Sequence, residues 1–387
     1  MKKMSAKNVI IRLLLLMLAL TLFPSYAKAE DEIRGEPLTM EEPALFEMTA
    51  KGEILEILEV NEETINNYTM IQETMLVKIL SGPLKNQTFV TMNVLDPMMP
   101  YNIVVDEGDQ VVLYLMVDET DQLVEGYVTE RARDNILMVL LVFFMGLLIL
   151  IGGLKGIRAL IALAITMFAI IKILLPAILK GYSPIWVSIL IAIGVILLSI
   201  PLIAGWNKKA ISAIVGTFSG VLIAALLAYV VSLMAGLTGL SMDEATMLSY
   251  IPQNIQFNFV GLLFATNILG ALGAVMDVAV SISSSLWELK RVNPQMSAKD
   301  LVTSGMNIGR DIIGTMANTL ILAYSGSSLY MLLLFMAYDM PLFEIINIDA
   351  MSTEIVRSLA GSIGLVMTIP ITAVVAGFMF GRKRVGG

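Results

Sequence analysis

The sequence contains no cysteine and no histidine, and only 15% of its 387 residues are charged. Without cysteine there is no disulfide, no thiolate nucleophile and no Cys-ligated metal or iron-sulfur cluster. Without histidine there is no Ser-His-Asp or Cys-His pair, no His-ligated zinc and no imidazole pH switch. No G-x-x-x-x-G-K-[ST] loop offers a phosphate cradle for ATP. The chemistry left to an enzyme is carboxylates, Lys, Tyr and hydroxyls, so the expectation is a non-enzyme with no cofactor and no metal site. The charge is also too sparse to coat the two or three soluble domains that this length allows. What is abundant is apolar: 57% of residues are hydrophobic and the mean hydropathy is +0.81. That composition is that of an integral membrane protein.

The formal net charge of -8 divides into three blocks: residues 1–29 hold five basic and no acidic groups, 30–134 hold 6 against 23, and 135–387 hold 14 against 10. Nucleic-acid binding has no support in such a pattern. In the first block Lys2, Lys3, Lys7 and Arg12 precede the apolar run Leu13–Phe23, and Ala27-Lys28-Ala29 has small residues where a signal peptidase cuts. Residues 1–29 are therefore read as a signal peptide, with an uncleaved anchor as the alternative. Residues 30–43 are an acidic linker with two prolines. Residues 44–134 are expected to form a small exported β domain, OB-like or SH3-like. Its strands are placed at Lys51–Val60, Met75–Leu80, Thr88–Leu95 and Val111–Val117, with turn signals in SGPLKNQ and Asp106–Asp109. Its carboxylates lack the spacing of a calcium loop.

From 135 to 387 long apolar stretches recur, at 136–153, 157–179, 184–205, 210–236, 258–285, 312–338 and 355–380. At roughly 20 apolar residues per crossing these make seven spans. If the β domain is exported, the connections alternate inward and outward. Lys155, Arg158, Lys208, Lys209, Lys290, Arg291, Lys299, Arg310, Arg382, Lys383 and Arg384 then face the cytoplasm, and Lys180 alone faces out. That asymmetry is the positive-inside rule. The outer connection 237–257 contains a short helix expected over Met242–Tyr250 after Ser241 as N-cap.

Ionisable groups inside spans are costly and mark function or tight pairing. Asp277 stands deep in the fifth span, and Asp277, Ser281, Ser284 and Glu288 share one helical face. In the sixth segment Asn307, Asp311, Thr315 and Asn318 share another. Arg310 is expected to pair with Asp277 within salt-bridge or one-water reach. Ser325-Gly326-Ser327-Ser328 either breaks the sixth span into half-helices, as at transporter binding sites, or rides in a continuous helix with back-bonded hydroxyls. Asp277, Ser281, Ser284, Glu288, Asn307, Arg310, Asp311, Asn318, Ser325 and Ser327 are the expected substrate or ion pathway. The competing reading makes the same residues interhelical glue. In the seventh span Glu354 and Arg357 stand at pair spacing, and Pro370 suggests a kink.

The stretches GALGAVMDVAVSISSSLWEL, Asn293-Pro294, SGMNIGRDIIGTMANTLILAYSGSS and TEIVRSLAGSIGLVMTIPITA resemble the YibE/F-like family of bacterial multipass membrane proteins, over the whole mature chain. The resemblance implies a plasma-membrane protein labelled as a membrane or transport protein, with no established catalytic residue. Together these readings predict a permease for an unidentified small solute or ion. Partners are the lipid bilayer and that solute, with a second copy or an envelope protein left open. The alternative is a non-catalytic envelope accessory or scaffold. An intramembrane aspartyl enzyme on Asp277 and Asp311 is disfavoured by Arg310, which would keep the carboxylates ionised, and by the lack of a GxGD pattern.

Overall fold

The computed structural model describes residues 45–65, 68–251 and 255–381. The signal segment at 1–29, the acidic linker at 30–43 and the basic trio Arg382, Lys383 and Arg384 lie outside the described residues. The chain divides into two units that part between residues 147 and 148.

The first unit carries five antiparallel strands, β1 (Phe46–Ile65), β2 (Tyr68–Ile79), β3 (Thr88–Leu95), β4 (Gln110–Val117) and β5 (Leu123–Arg131), in the order β3-β2-β1-β4-β5. Two register shifts in β1, between Ile54 and Glu56 and between Ile57 and Glu59, bend the strand so that it pairs with both β2 and β4. Thr91 on β3 donates its hydroxyl to the Gly126 carbonyl on β5 at 2.6 Å. The sheet therefore curls into a half-barrel. In β4 every second residue, Val111, Leu113, Leu115 and Val117, is buried against Ile54, Met75, Val77 and Ile79. The expected strands sit inside the observed ones, except that Leu80 falls just past β2, and β5 is added. β1 and β2 extend well past their expected ends as a hairpin arm whose tip, from Glu62 to Thr64, is exposed.

The helices follow as α1 (Asp134–Ala169), a π-helical turn (Ile170–Leu174), α2 (Leu175–Leu179), α3 (Pro184–Ala204), α4 (Lys208–Met234), α5 (Asp243–Leu248), α6 (Phe259–Val292), α7 (Ala298–Ser327), α8 (Leu329–Ala337), α9 (Leu342–Asn347) and α10 (Asp349–Gly381). Among the described residues five stretches are long and apolar enough to cross a membrane, namely Asp134–Leu179, α3, α4, α6 and α10. The bent pair α7 and α8 makes a sixth if counted as one span. Seven are predicted from sequence, and the difference lies in the first two, which run on as one stretch of 46 residues. No proline or polar loop stands between them, so the helix resumes after a single non-helical residue, Gly153, at φ 54 and ψ -129. The expected cap at Ser241 shifts by one, since α5 is preceded by Met242 with no side-chain cap. Pro370 lies inside a continuous α10.

Within the second unit α10 packs against α4, α6 and α7, and α6 also packs against α3 and α4. The close approaches are made by small residues. A Cβ on Gly216 or Gly220 of α4 would run into Thr372 or Thr368 of α10, and one on Gly309 of α7 would run into Ile369. Gly216 and Gly220, like Gly305 and Gly309, form the G-x-x-x-G spacing that lets membrane helices approach backbone to backbone.

Candidate functional site

α7 starts fourteen residues before the expected sixth span because Ser297 and Asp300 form a capping box. The Ser297 hydroxyl accepts from the Asp300 backbone N–H, and the Asp300 carboxylate accepts from the Ser297 N–H at 3.1 Å. Leu301, Gly305, Gly309 and Leu320 are buried against the bundle, which turns the opposite side of α7 outward. Asn307, Arg310, Asp311, Thr315, Asn318 and Ser325 are accordingly exposed. On α6 Asp277, Ser281 and Glu288 are exposed and Ser284 is half-buried. Glu288 is ion-paired to Arg291 on its own helix. Ser327, also exposed, donates its hydroxyl to the Tyr324 carbonyl at 2.7 Å.

The two helices run antiparallel, with Leu286 beside Gly305 and Tyr324 beside Gly270. That register sets Asp277 level with Gly314 and Thr315, more than a helical turn from Arg310. Arg310 instead donates to Asn307 Oδ1 at 3.0 Å. Asp277 makes no ion pair among the described residues. The direct Asp277–Arg310 salt bridge expected from sequence is not formed. Both charges stay on a polar strip that follows the outer faces of α6 and α7.

The serines that do join helices are different ones. Ser283 Oγ donates to the Lys209 carbonyl at 2.7 Å and shares a hydrogen bond of 2.5 Å with Ser212 Oγ, both on α4. One position along from Ser284, Ser283 falls on the buried side of α6.

A second polar cluster lies at the other end of α6 and α7. α7 stops at Ser327 and α8 begins at Leu329, bent from it by 59°, so the Ser-Gly-Ser-Ser segment does interrupt the helix, although no side chain caps α8 and the Ser327 hydroxyl is back-bonded. Beside the break, Arg357 of α10 donates from Nη1 to Glu354 Oε1 at 2.6 Å and from Nε to Asn267 Oδ1 of α6 at 3.3 Å. Its guanidinium carbon stands 6.0 Å from the centre of the Tyr324 ring. Glu354 is 8% exposed. Its second oxygen, Oε2, is buried with no hydrogen-bond partner, as are Thr353 Oγ1 and Ser362 Oγ. A cavity of about 220 Å³ opens here, lined by Tyr324, Ser325, Ser328, Glu354 and Ser358 and walled by apolar side chains such as Ile321, Leu332 and Ile355. Of the sequence-predicted residues only Ser325 lines it. Glu354 and Arg357 are legible in the sequence as a pair, but nothing there ties them to Asn267 and Tyr324. No group of three or more acidic side chains that could hold a metal occurs among the described residues.

In the comparison with known families, residues 140–382 match the YibE/F-like protein family. The match covers more than half of the chain and includes both polar clusters. It begins inside α1, so the β half-barrel, which the resemblance is expected to include, lies outside it. No curated protein and no solved structure matches the chain.

Proposed function

The chain belongs to the YibE/F-like family, and we propose that it is a non-enzymatic permease of the bacterial plasma membrane for a small solute or ion. The observation that carries this reading is the exposure of Asp277, Ser281, Asn307, Arg310, Asp311 and Asn318 along one strip of two membrane-length helices. Glue residues would be buried between helices, as Ser212 and Ser283 are. Charged and amide groups at these depths are tolerated where they meet water, not lipid. A strip of this kind, ending at a helix break, fits the half-helix logic of transporters. In this reading the kink at Gly153 is a turn between two crossings, which restores seven spans. The basic connections face the cytoplasm and the half-barrel, read as OB-like or SH3-like, lies outside.

The test is solute-uptake and growth profiling of a deletion strain across ions, metals and amino acids. A specific uptake or efflux defect is expected, restored by the wild-type gene and not by Asp277→Asn. Normal fluxes together with an envelope-assembly defect would replace the permease reading with the accessory one. One observation favours that second reading. On β3 the apolar Val90, Met92 and Val94 are exposed, while Thr91 and Asn93 point inward. An exposed apolar row on the outer face of the sheet is a surface against which a partner can pack.

A further inference from the structure

We propose that the polar strip on α6 and α7 faces a second copy of this chain, and that the pathway runs between the two strips. The inference deepens the permease reading and rests on it, since it says what encloses the pathway. The outer surface of the helical unit is of two kinds. On α3, α4 and α10 the exposed side chains are hydrocarbon, such as Leu190 and Leu197, Phe218 and Leu222, Ile363 and Met367, which is the surface that lipid solvates. On α6 and α7 they include Asp277, Ser281, Asn307, Arg310, Asp311 and Asn318. α7 is the extreme case, with four of its 30 residues buried against 16 of 33 in α10, although α7 and α8 together are apolar enough to make a crossing. Ionised groups on such a face are costly against hydrocarbon and are tolerated against protein or water. A single copy leaves the strip on its outside, so the pathway is incomplete without a cover.

Charge selects the cover. The first crossing has no polar side chain from Ile136 to Leu154, so it has nothing to offer these groups. A second copy does, because the strip carries both signs. Asp277 and Asp311 make no ion pair among the described residues, and Arg310 donates to the neutral Asn307. Two copies inserted the same way round are related by a two-fold axis along the membrane normal. With that axis on the strip, α6 of one copy stands opposite α7 of the other. The register of α6 and α7, with Leu286 beside Gly305 and Tyr324 beside Gly270, then sets Arg310 of the second copy opposite Ser281 and Ser284. Its long side chain reaches along the strip toward Asp277, so each copy supplies the countercharge that Asp277 lacks in the other. The pair that does not form within one chain forms between two. At Gly273 and Gly314 an added Cβ would meet nothing within 4 Å, which leaves width between the strips for water and a small solute.

The absence of cysteine makes the test direct. Full-length Ser281→Cys with one epitope tag and Thr315→Cys with another are co-expressed, and the native membranes are treated with a short bifunctional maleimide. A doubly tagged species of twice the chain mass is expected. Leu222→Cys with Ile363→Cys, both on the hydrocarbon surface, should give none. The charges have their own readout. Against a copy of itself the Asp277→Arg chain sets Arg against Arg and the Arg310→Asp chain sets Asp against Asp, whereas a mixed dimer restores opposite charges at both contacts. Co-expressed under different tags, the two are expected to form mixed dimers in roughly tenfold excess over self dimers. Random assortment would overturn the proposal, because a pair within one chain gives no preference between mixed and self dimers. So would the absence of a doubly tagged species, or a cross-link that joins the strip to a different protein. Should the charge variants not insert, the thiol pair decides alone. Cross-linking is read without flux, so dimers together with normal fluxes in the deletion strain remove the permease and keep the interface. A flux defect without dimers overturns the interface and keeps the permease.

Discussion

Arg357 is the residue on which three helices meet, since it bonds Glu354 on its own helix, Asn267 on α6 and faces Tyr324 on α7. Removing one member of a buried ion pair strands the other without compensation, at a cost of about 3–5 kcal/mol. Arg357→Leu should therefore lower stability by that order, measured as unfolding in mixed micelles. Arg357→Lys should recover only part of it, because a point charge cannot replace the guanidinium fork. A loss no larger for Arg357→Leu than for an exposed control such as Arg291→Leu would show that the pair is not a structural centre. The pair itself is legible in the sequence from its i,i+3 spacing. Its importance is not, because Asn267 lies 90 residues away and only the fold brings it within reach. The reverse holds for Asp277 and Arg310. Their charges invite pairing, and the antiparallel register of α6 and α7 keeps them more than a turn apart.

At the scale of elements, the helix positions are mostly readable from the sequence and the helix lengths are not. A connection of 25 residues is expected over 286–310, whereas α6 runs to Val292 and α7 starts at Ala298. The extensions are polar and hydropathy misses them, but Asn293-Pro294 and the Ser297–Asp300 capping box are local signals that bound them. Packing is less readable still. A Gly in an apolar run looks like filler until its neighbour is known, and two of the G-x-x-x-G pairs here meet α10. Gly220 sits against Thr368, the Gly364 carbonyl and Val275, so no direction is open to a larger side chain. Gly220→Val should cost about 1–3 kcal/mol through overpacking and lower the thermal midpoint of the detergent-purified protein. Gly314→Val, at a position where an added Cβ would meet nothing within 4 Å, is the matched control and should leave the midpoint close to wild type.

For the molecule as a whole, the question is whether the half-barrel is a domain by its own physics. Its core of Ala50, Ile54, Met75, Val77, Ile79, Leu84, Val105 and four alternating β4 residues is closed within the sheet and its loops. Among the described residues the ion pair lost by cutting before Asp134 is that with Lys51, whose side chains are 26% and 65% exposed, and exposed pairs contribute about 0–1 kcal/mol. Residues 45–133 expressed alone should therefore fold cooperatively, with a β-type circular dichroism spectrum and a single melt. A random-coil spectrum would reject the prediction. The β4–β5 hairpin adds a pH signature. The Asp118 carboxylate accepts from the Gln122 N–H at 2.9 Å, the Thr120 hydroxyl at 2.7 Å and the Thr120 N–H at 2.8 Å. These bonds, the one from Gln122 foremost, hold it below the usual carboxylate range. A depressed folded pKa means that the unfolded chain takes up the proton first, so this turn's contribution is complete above the unfolded value of about 3.9. It is lost as pH falls through the lower folded value. The midpoint difference between wild type and Asp118→Ala should accordingly be constant from neutral pH down to the usual carboxylate range and shrink below it. A difference that stays constant into strong acid, or grows there, would show that the ionised carboxylate is not what holds the turn.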